Sequence, residues 1–211
     1  MEVTTKKEGG NMELTLYYQP GSRAQRVRWA LEELGLEYRL QHIDLHKGEG
    51  KSPDYLAIHP LGQLPALRVN DEVMIESGAI VQWLAEAYPD RGLAPAHDSP
   101  QRREFLQWMY FSVTSLEWPA WEIVLHQKIL PENLAVKEII PFAKKKLESI
   151  FKTLEQSLGG RDYILDYGFS AADIMLGYIL MWFKAELDAY PALLSYVERL
   201  QQRPAYMKSK A

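Results

Sequence analysis

Hydrophobic and polar positions alternate in two different ways along this chain, and the change between them falls near its middle. Leu14-Thr15-Leu16-Tyr17-Tyr18 is a short strand-like run stopped by Pro20-Gly21. Val27, Ala30, Leu31 and Leu34 then recur at helical spacing until Gly35. Residues 38–45 read as a second strand, and strand, helix, strand over so short a stretch predicts a parallel crossover unit. A short helix is expected over 53–58. Next, 64–69 and Val73-Met74-Ile75 flank the turn Asn70-Asp71, which predicts an antiparallel hairpin. Ser77 opens a helix with Ile80, Val81, Leu84 and Tyr88 on one face. The order is βαβ followed by ββα.

Residues 89–100 are rich in Pro, Gly, Ala and Asp and read as a linker. Only helical stripes follow. They run through Phe105, Trp108, Ser112 and Leu116; through Ile139, Phe142, Lys146 and Ile150, with Pro141 near a helix start; and through Leu147, Phe151, Leu154 and Leu158 up to Gly159-Gly160. Two more follow, Ile174, Met175, Tyr178, Ile179 and Trp182, then Leu193, Leu194, Val197 and Leu200 before Pro204. The expected fold is α/β plus all-α. Its divisions are a flexible tail over 1–12, an α/β domain over 13–89, a linker over 90–99 and an all-helical domain over 100–211.

Composition narrows the chemistry. The chain has 211 residues, 28 acidic against 24 Lys and Arg, and a net charge of −4, which gives no general attraction to nucleic acid or anionic lipid. Lys144-Lys145-Lys146 is read as a solvated helix face. With no cysteine, disulfides, thiolate metal sites and a protein thiol nucleophile are excluded, so any thiol chemistry must use a sulfur carried by the ligand. The polar start lacks the apolar core of a signal peptide and no run is long enough to span a membrane, so the expected location is cytoplasmic. Gly48-Glu49-Gly50-Lys51-Ser52 looks like the end of a phosphate loop, but position 45 is Leu where a glycine is required. The five histidines show no metal-ligand spacing, and no metal is expected.

Three segments carry candidate chemistry. In His59-Pro60-Leu61-Gly62-Gln63-Leu64-Pro65-Ala66-Leu67, a proline at the head of a strand either merely starts it or forms a cis peptide that turns Leu64 outward, free to bind an extended peptide. Glu76-Ser77-Gly78, at a helix start, is either a simple cap or a seat for an α-amino acid, with its carboxylate on the helix N-terminus and its ammonium on Glu76. Ser22, between the first strand and helix, is placed like an N-cap.

In this order the segments resemble the glutathione transferase family. So do Leu31-Glu32-Glu33-Leu34-Gly35-Leu36-Glu37-Tyr38, Lys51-Ser52-Pro53 and Phe169-Ser170-Ala171-Ala172-Asp173-Ile174, the last a capping box in the helical half. The resemblance implies a thioredoxin-like N-terminal domain, a C-terminal helical bundle and a homodimer. It also implies glutathione as co-substrate, its thiolate attacking a small, mostly apolar electrophile in a detoxifying conjugation. Lys51 and Gln63 are then expected at the glycine end of glutathione, Leu64 before cis-Pro65 at the cysteinyl unit, and Glu76 and Ser77 at the γ-glutamyl end. Ser22 is the candidate donor to the sulfur. Tyr18 (or Tyr17) and Arg23 are its alternatives. Trp108, Phe111 and Trp118, within an aromatic stretch that includes Tyr110 and Trp121, are expected at the second-substrate pocket. A non-catalytic interaction protein and a glutathione-dependent peroxidase are the competing readings, and a thiol–disulfide oxidoreductase is set back by the missing cysteine.

Overall fold

Leu14 and Leu16 point to one face of an extended run and are buried there, while Tyr17 points to the other, and this period of two places the first strand at the centre of the molecule. The computed structural model describes residues 12–210; the expected flexible tail, apart from Met12, lies outside them. Four strands, β1 (Leu14–Tyr18), β2 (Arg39–His42), β3 (Ala66–Val69) and β4 (Glu72–Ile75), form one sheet in the order β2-β1-β3-β4. β1 and β2 are parallel, with Leu16 opposite Leu40, and the other two pairings are antiparallel. Helix α1 (Ala24–Leu34) supplies the crossover and ends on Gly35 in the left-handed region, with φ 63°. α2 (Pro53–Leu56) is capped by Ser52, and Asn70, with φ 53°, makes the tight turn of the hairpin. Helix α3 (Ser77–Ala87) closes the βαβ-ββα unit.

The second strand is shorter than its pattern suggests. Asp44 accepts backbone hydrogen bonds from His46 and Lys47, and that turn ends the extended run.

Among the described residues no strand follows Ile75. Helix α4 (Arg102–Phe111) continues through a π-helical turn, Ser112–Leu116, into α5 (Glu117–Val124), and a second π turn, Leu125–Ile129, ends that long helix. Pro119 has no N–H to give the preceding turn, and the π turn just before it accommodates the missing bond. α6 (Ile139–Leu158), α7 (Ala171–Leu180), a 3-10 stretch (Met181–Glu186), α8 (Pro191–Gln201) and α9 (Pro204–Ser209) complete the bundle. Two expectations need correction. The buried face of α6 runs through Ala143, Leu147, Ile150 and Leu154, with Phe142 60% exposed, because that face packs on α5 and α8. The stripe ending at Leu200 is not the last helix: Pro204 opens α9, since a proline at the first helical position forfeits no bond.

At Ser170 and Asp173 the capping box is present: the Asp173 carboxylate accepts from the Ser170 N–H at 2.8 Å, the Ile164 N–H at 2.9 Å and the Tyr196 hydroxyl at 2.9 Å. Helix α7, buried on every side, packs against α1, α3 and α4. One hydrophobic core therefore runs from Leu14 in the sheet to Tyr206 in α9, which fixes the helical half against the sheet and sets a cleft between them.

Candidate functional site

The cleft encloses a cavity of about 980 Å³, at the upper end of the range for small-molecule sites. Its sheet side is made by the ends of strands and the starts of helices. Gln19 to Arg23 follow β1, His59 and Gly62 to Pro65 precede β3, and Glu76 to Ala79 join β4 to α3. The helical side presents Met109, Tyr110, Val113, Glu117, Trp118 and Trp121, with Ile129 and Trp182 beyond.

Each piece of the sheet side has a local cause. The Leu64–Pro65 peptide is cis. Behind it Gly62, with φ 65°, meets Gly50 backbone to backbone at a distance that admits no Cβ on either residue. The Tyr55 hydroxyl donates to the Gln63 carbonyl at 2.7 Å, and buried His59 stacks on the Tyr55 ring. His59 Nδ1 accepts from the Leu61 N–H at 3.3 Å, and burial pushes the imidazole below its ordinary pKa. Glu76 holds a positive φ of 69°, a conformation that costs a non-glycine residue about 1–3 kcal/mol and is concentrated at functional sites. Ser77 then opens α3, whose first N–H groups have no intrahelical carbonyl to bind.

Ser22 lies on the cavity wall and serves as a local cap: its hydroxyl donates to the Gln19 carbonyl at 2.7 Å and accepts from the Ala24 N–H at 3.3 Å. From the helical half, the Tyr178 hydroxyl donates to the Ser22 carbonyl at 2.8 Å, which pins this loop. Arg23, its side chain 34% exposed, lines the cavity with its guanidinium 4.4 Å above the Trp121 ring and ion-pairs with Glu117. Glu117 also accepts from Arg26 at 2.9 Å. Burial alone raises a carboxyl, yet the Arg26 and Arg23 guanidiniums outweigh it and hold Glu117 below the usual carboxylate range. Arg26 is fully buried, donates to Ser77 Oγ at 3.3 Å and leaves its Nε and Nη2 without a hydrogen-bond partner among the described residues. A buried donor left unpaired costs about 1–3 kcal/mol.

The cavity thus collects Ser22, Arg23, Gln63, Leu64, Pro65, Glu76, Ser77 and Trp118. Other expected residues lie elsewhere. Lys51 is outside the wall and donates to the Leu61 carbonyl at 3.1 Å. Tyr18 faces a separate recess of about 200 Å³, edge-on to His42, and Tyr17 is buried on the opposite face of β1. Trp108 is core, and Phe111 packs edge-on against it; Tyr110, Val113, Glu117 and Trp121 recur at helical spacing and form the stripe facing the cavity. Sequence reasoning did not find Gln19, His59, Arg26 and Glu117. Only the unpaired look of a cation within the apolar stripe of α1 hinted at Arg26. Among the described residues there is no group of three or more His, Asp or Glu that could hold a metal ion, and no helix is long and apolar enough to cross a membrane.

Comparison with known proteins adds to this geometry. Residues 12–86 match the model of the glutathione S-transferase N-terminal domain, and residues 135–199 that of the C-terminal domain. The chain is similar to glutathione S-transferase 3 of Zea mays, 30% identical over 211 residues and covering 94% of this chain and 93% of the relative. It is similar to the disulfide-bond oxidoreductase YfcG of Escherichia coli (strain K12), 29% identical over 91% of this chain and 92% of that one. A solved glutathione transferase homologue from sulfitobacter, with bound glutathione, superposes with a TM-score of 0.81 at 26% identity, covering 94% of this chain and 97% of that one.

Proposed function

Because the chain belongs to the glutathione S-transferase family, we propose that its cavity binds glutathione and that the bound thiolate attacks a small, mostly apolar electrophile held against the helical half. The observation that carries this reading is the pairing of Glu76, held at φ 69°, with Ser77 at the open end of α3, both on the wall that also bears Leu64, cis-Pro65 and Ser22. A zwitterionic α-amino acid fits that pairing, with its ammonium on Glu76 and its carboxylate on Ser77 and the helix N-terminus. The Leu64 backbone takes the cysteinyl unit in the manner of strand addition, which brings its sulfur toward Ser22 and Arg23. Gln63 meets the glycine end, and Lys51, whose ammonium has two more N–H donors than the one given to the Leu61 carbonyl, joins it there.

A free thiol with pKa near 8.5 is only slightly ionised at neutral pH. The Ser22 hydroxyl, the start of α1 and the guanidinium of Arg23 all favour the thiolate in this position. The electrophile lies on the indoles of Trp118 and Trp121, whose flat apolar faces suit an aromatic compound. Assembly as a homodimer and division into domains over 13–89 and 100–211 belong to the same reading, and sedimentation and limited proteolysis report on them. The likeness to YfcG supports a second reading, glutathione-dependent thiol–disulfide exchange, in which a chain without cysteine relies on ligand sulfurs alone.

Calorimetric titration with glutathione tests the binding step; saturation in the millimolar range or below is expected, and its absence refutes the proposal. Turnover is then measured with glutathione against a panel of aromatic electrophiles and against a mixed disulfide. Conjugation of the electrophiles supports the first reading, and reduction of the disulfide alone supports the second.

A further inference from the structure

Arg26 is a buried cation with unpaired donors for which the proposed mechanism has no use. It sits on the buried face of α1, fully enclosed, with its guanidinium 4.8 Å from the Tyr178 ring. Through Nη1 it reaches both Glu117 Oε2, at 2.9 Å, and Ser77 Oγ, at 3.3 Å. Glu117 is shared with Arg23, so two cations face one carboxylate and a surplus positive charge remains beneath the start of α3.

The hydrogen-bond direction has a consequence at Ser77. A guanidinium only donates, so the lone pair of Ser77 Oγ that faces Arg26 is taken from inside the protein. The single hydroxyl hydrogen of Ser77 must then point elsewhere, and Ser77 lines the cavity. We propose that Arg26 is a positioning residue that acts through Ser77: it turns the serine hydroxyl into a fixed donor aimed at the cavity and, with its surplus charge, makes this end of the site selective for a ligand carboxylate. The inference rests on the reading that the cavity binds glutathione, and it assigns to Arg26 the recognition of the γ-glutamyl α-carboxylate.

The test compares glutathione with γ-aminobutyryl-cysteinyl-glycine, which lacks only that carboxylate, by calorimetric titration of the full chain. Wild type is expected to prefer glutathione by about 10–100-fold, the worth of hydrogen bonds to a charged group. In Arg26→Gln the preference falls to within about threefold, while affinity for the decarboxylated analogue stays within about twofold of wild type. Ser77→Ala added to Arg26→Gln removes no further preference, because the two side chains act in series. A merely structural role for Arg26 weakens both ligands equally and leaves the preference intact, and that result overturns the inference. Should Arg26→Gln not fold, Arg26→Lys is read the same way: its compact ammonium does not span Glu117 and Ser77 Oγ together, so the preference drops at least about threefold, and an unchanged preference again overturns it. Wild type without saturable glutathione binding sinks the functional reading itself, an outcome separate from either of these.

Discussion

Replacing Ser22 with alanine tests the activation of sulfur most directly, and the structure sets the size of the effect. To serve a thiolate, the Ser22 hydroxyl must release the Gln19 carbonyl, now at 2.7 Å. It gives up a neutral hydrogen bond worth about 0.5–1.5 kcal/mol and gains one to an anion worth about 1.5–3 kcal/mol. The net is about 1 kcal/mol, or roughly one pKa unit of the bound thiol. The start of α1 contributes about 0.3–1 kcal/mol in the same direction, and this survives in the variant. Arg23 also survives there, although its pairing with Glu117 and its partial exposure mute its charge. From the free value near 8.5, wild type is expected to lower the bound thiol to about 7, and Ser22→Ala to about 8. A raised thiol pKa leaves less thiolate at low pH, so at saturating glutathione kcat/KM for the electrophile falls in the variant to about a tenth of wild type below pH 7 and converges with it where both are fully ionised. The ultraviolet absorbance of the thiolate in the binary complex, titrated with pH, reads the pKa directly. Equal pKa values in the two proteins refute the assignment. Loss of the low pKa in Tyr18→Phe instead transfers the role to Tyr18, contrary to its position in the separate recess.

Four further outcomes are expected. Glu117→Gln leaves Arg23 and Arg26 without their shared carboxylate and destabilises the fold by about 3–5 kcal/mol, read by urea denaturation. Since the folded Glu117 pKa lies below its ordinary 4.5, its contribution is fully present above that pH and is lost as pH falls through the lower folded value; a wild-type stability profile that stays flat on acidification, with Glu117→Gln parallel to it, contradicts this. Gly62→Ala, placing a Cβ against the Gly50 carbonyl at positive φ, costs at least about 2 kcal/mol and weakens glutathione binding, measured by thermal unfolding and titration. Trp118→Ala raises KM for an aromatic electrophile by about 3–10-fold while leaving glutathione affinity within about twofold, and equal losses for both ligands contradict the division of the cavity.

Much of the fold was legible because its signals are local. Gly35 and Asn70 mark turns by their own backbone freedom, Ser170 and Asp173 cap a helix within a single turn, and Leu14 and Leu16 announce a buried strand face by period alone. The sheet side of the cavity was legible for the same reason, since Gln63-Leu64-Pro65 and Glu76-Ser77 are each contiguous. The aromatic side was not. Apolar and aromatic residues lie both on the buried stripe through Phe105, Trp108, Ser112 and Leu116 and on the cavity stripe through Tyr110, Val113, Glu117 and Trp121, so periodicity alone does not say which aromatic meets the core. Nor does any pattern show that Lys51 is engaged with a carbonyl ten residues away.

The charge cluster marks the deeper limit of local reading. Arg26 and Glu117 stand 91 residues apart, and nothing in the pattern of either helix pairs them. The packing of α7 and α9 on α1, and of α7 and α4 on α3, brings the helical half close enough for Glu117 to enter the sheet side of the cleft. Once there, the carboxylate reaches Arg23, at the proposed sulfur end, and Arg26, which touches Ser77 at the proposed γ-glutamyl end. Both ends of a site built almost wholly from the first 79 residues therefore depend on one side chain from the second half. Without the helical half, Arg23 and Arg26 lose their shared carboxylate and the Ser22 carbonyl loses Tyr178. The helical half is therefore part of the proposed glutathione site as well as the proposed wall for the electrophile, because it supplies the carboxylate that neutralises the guanidinium held against Ser77.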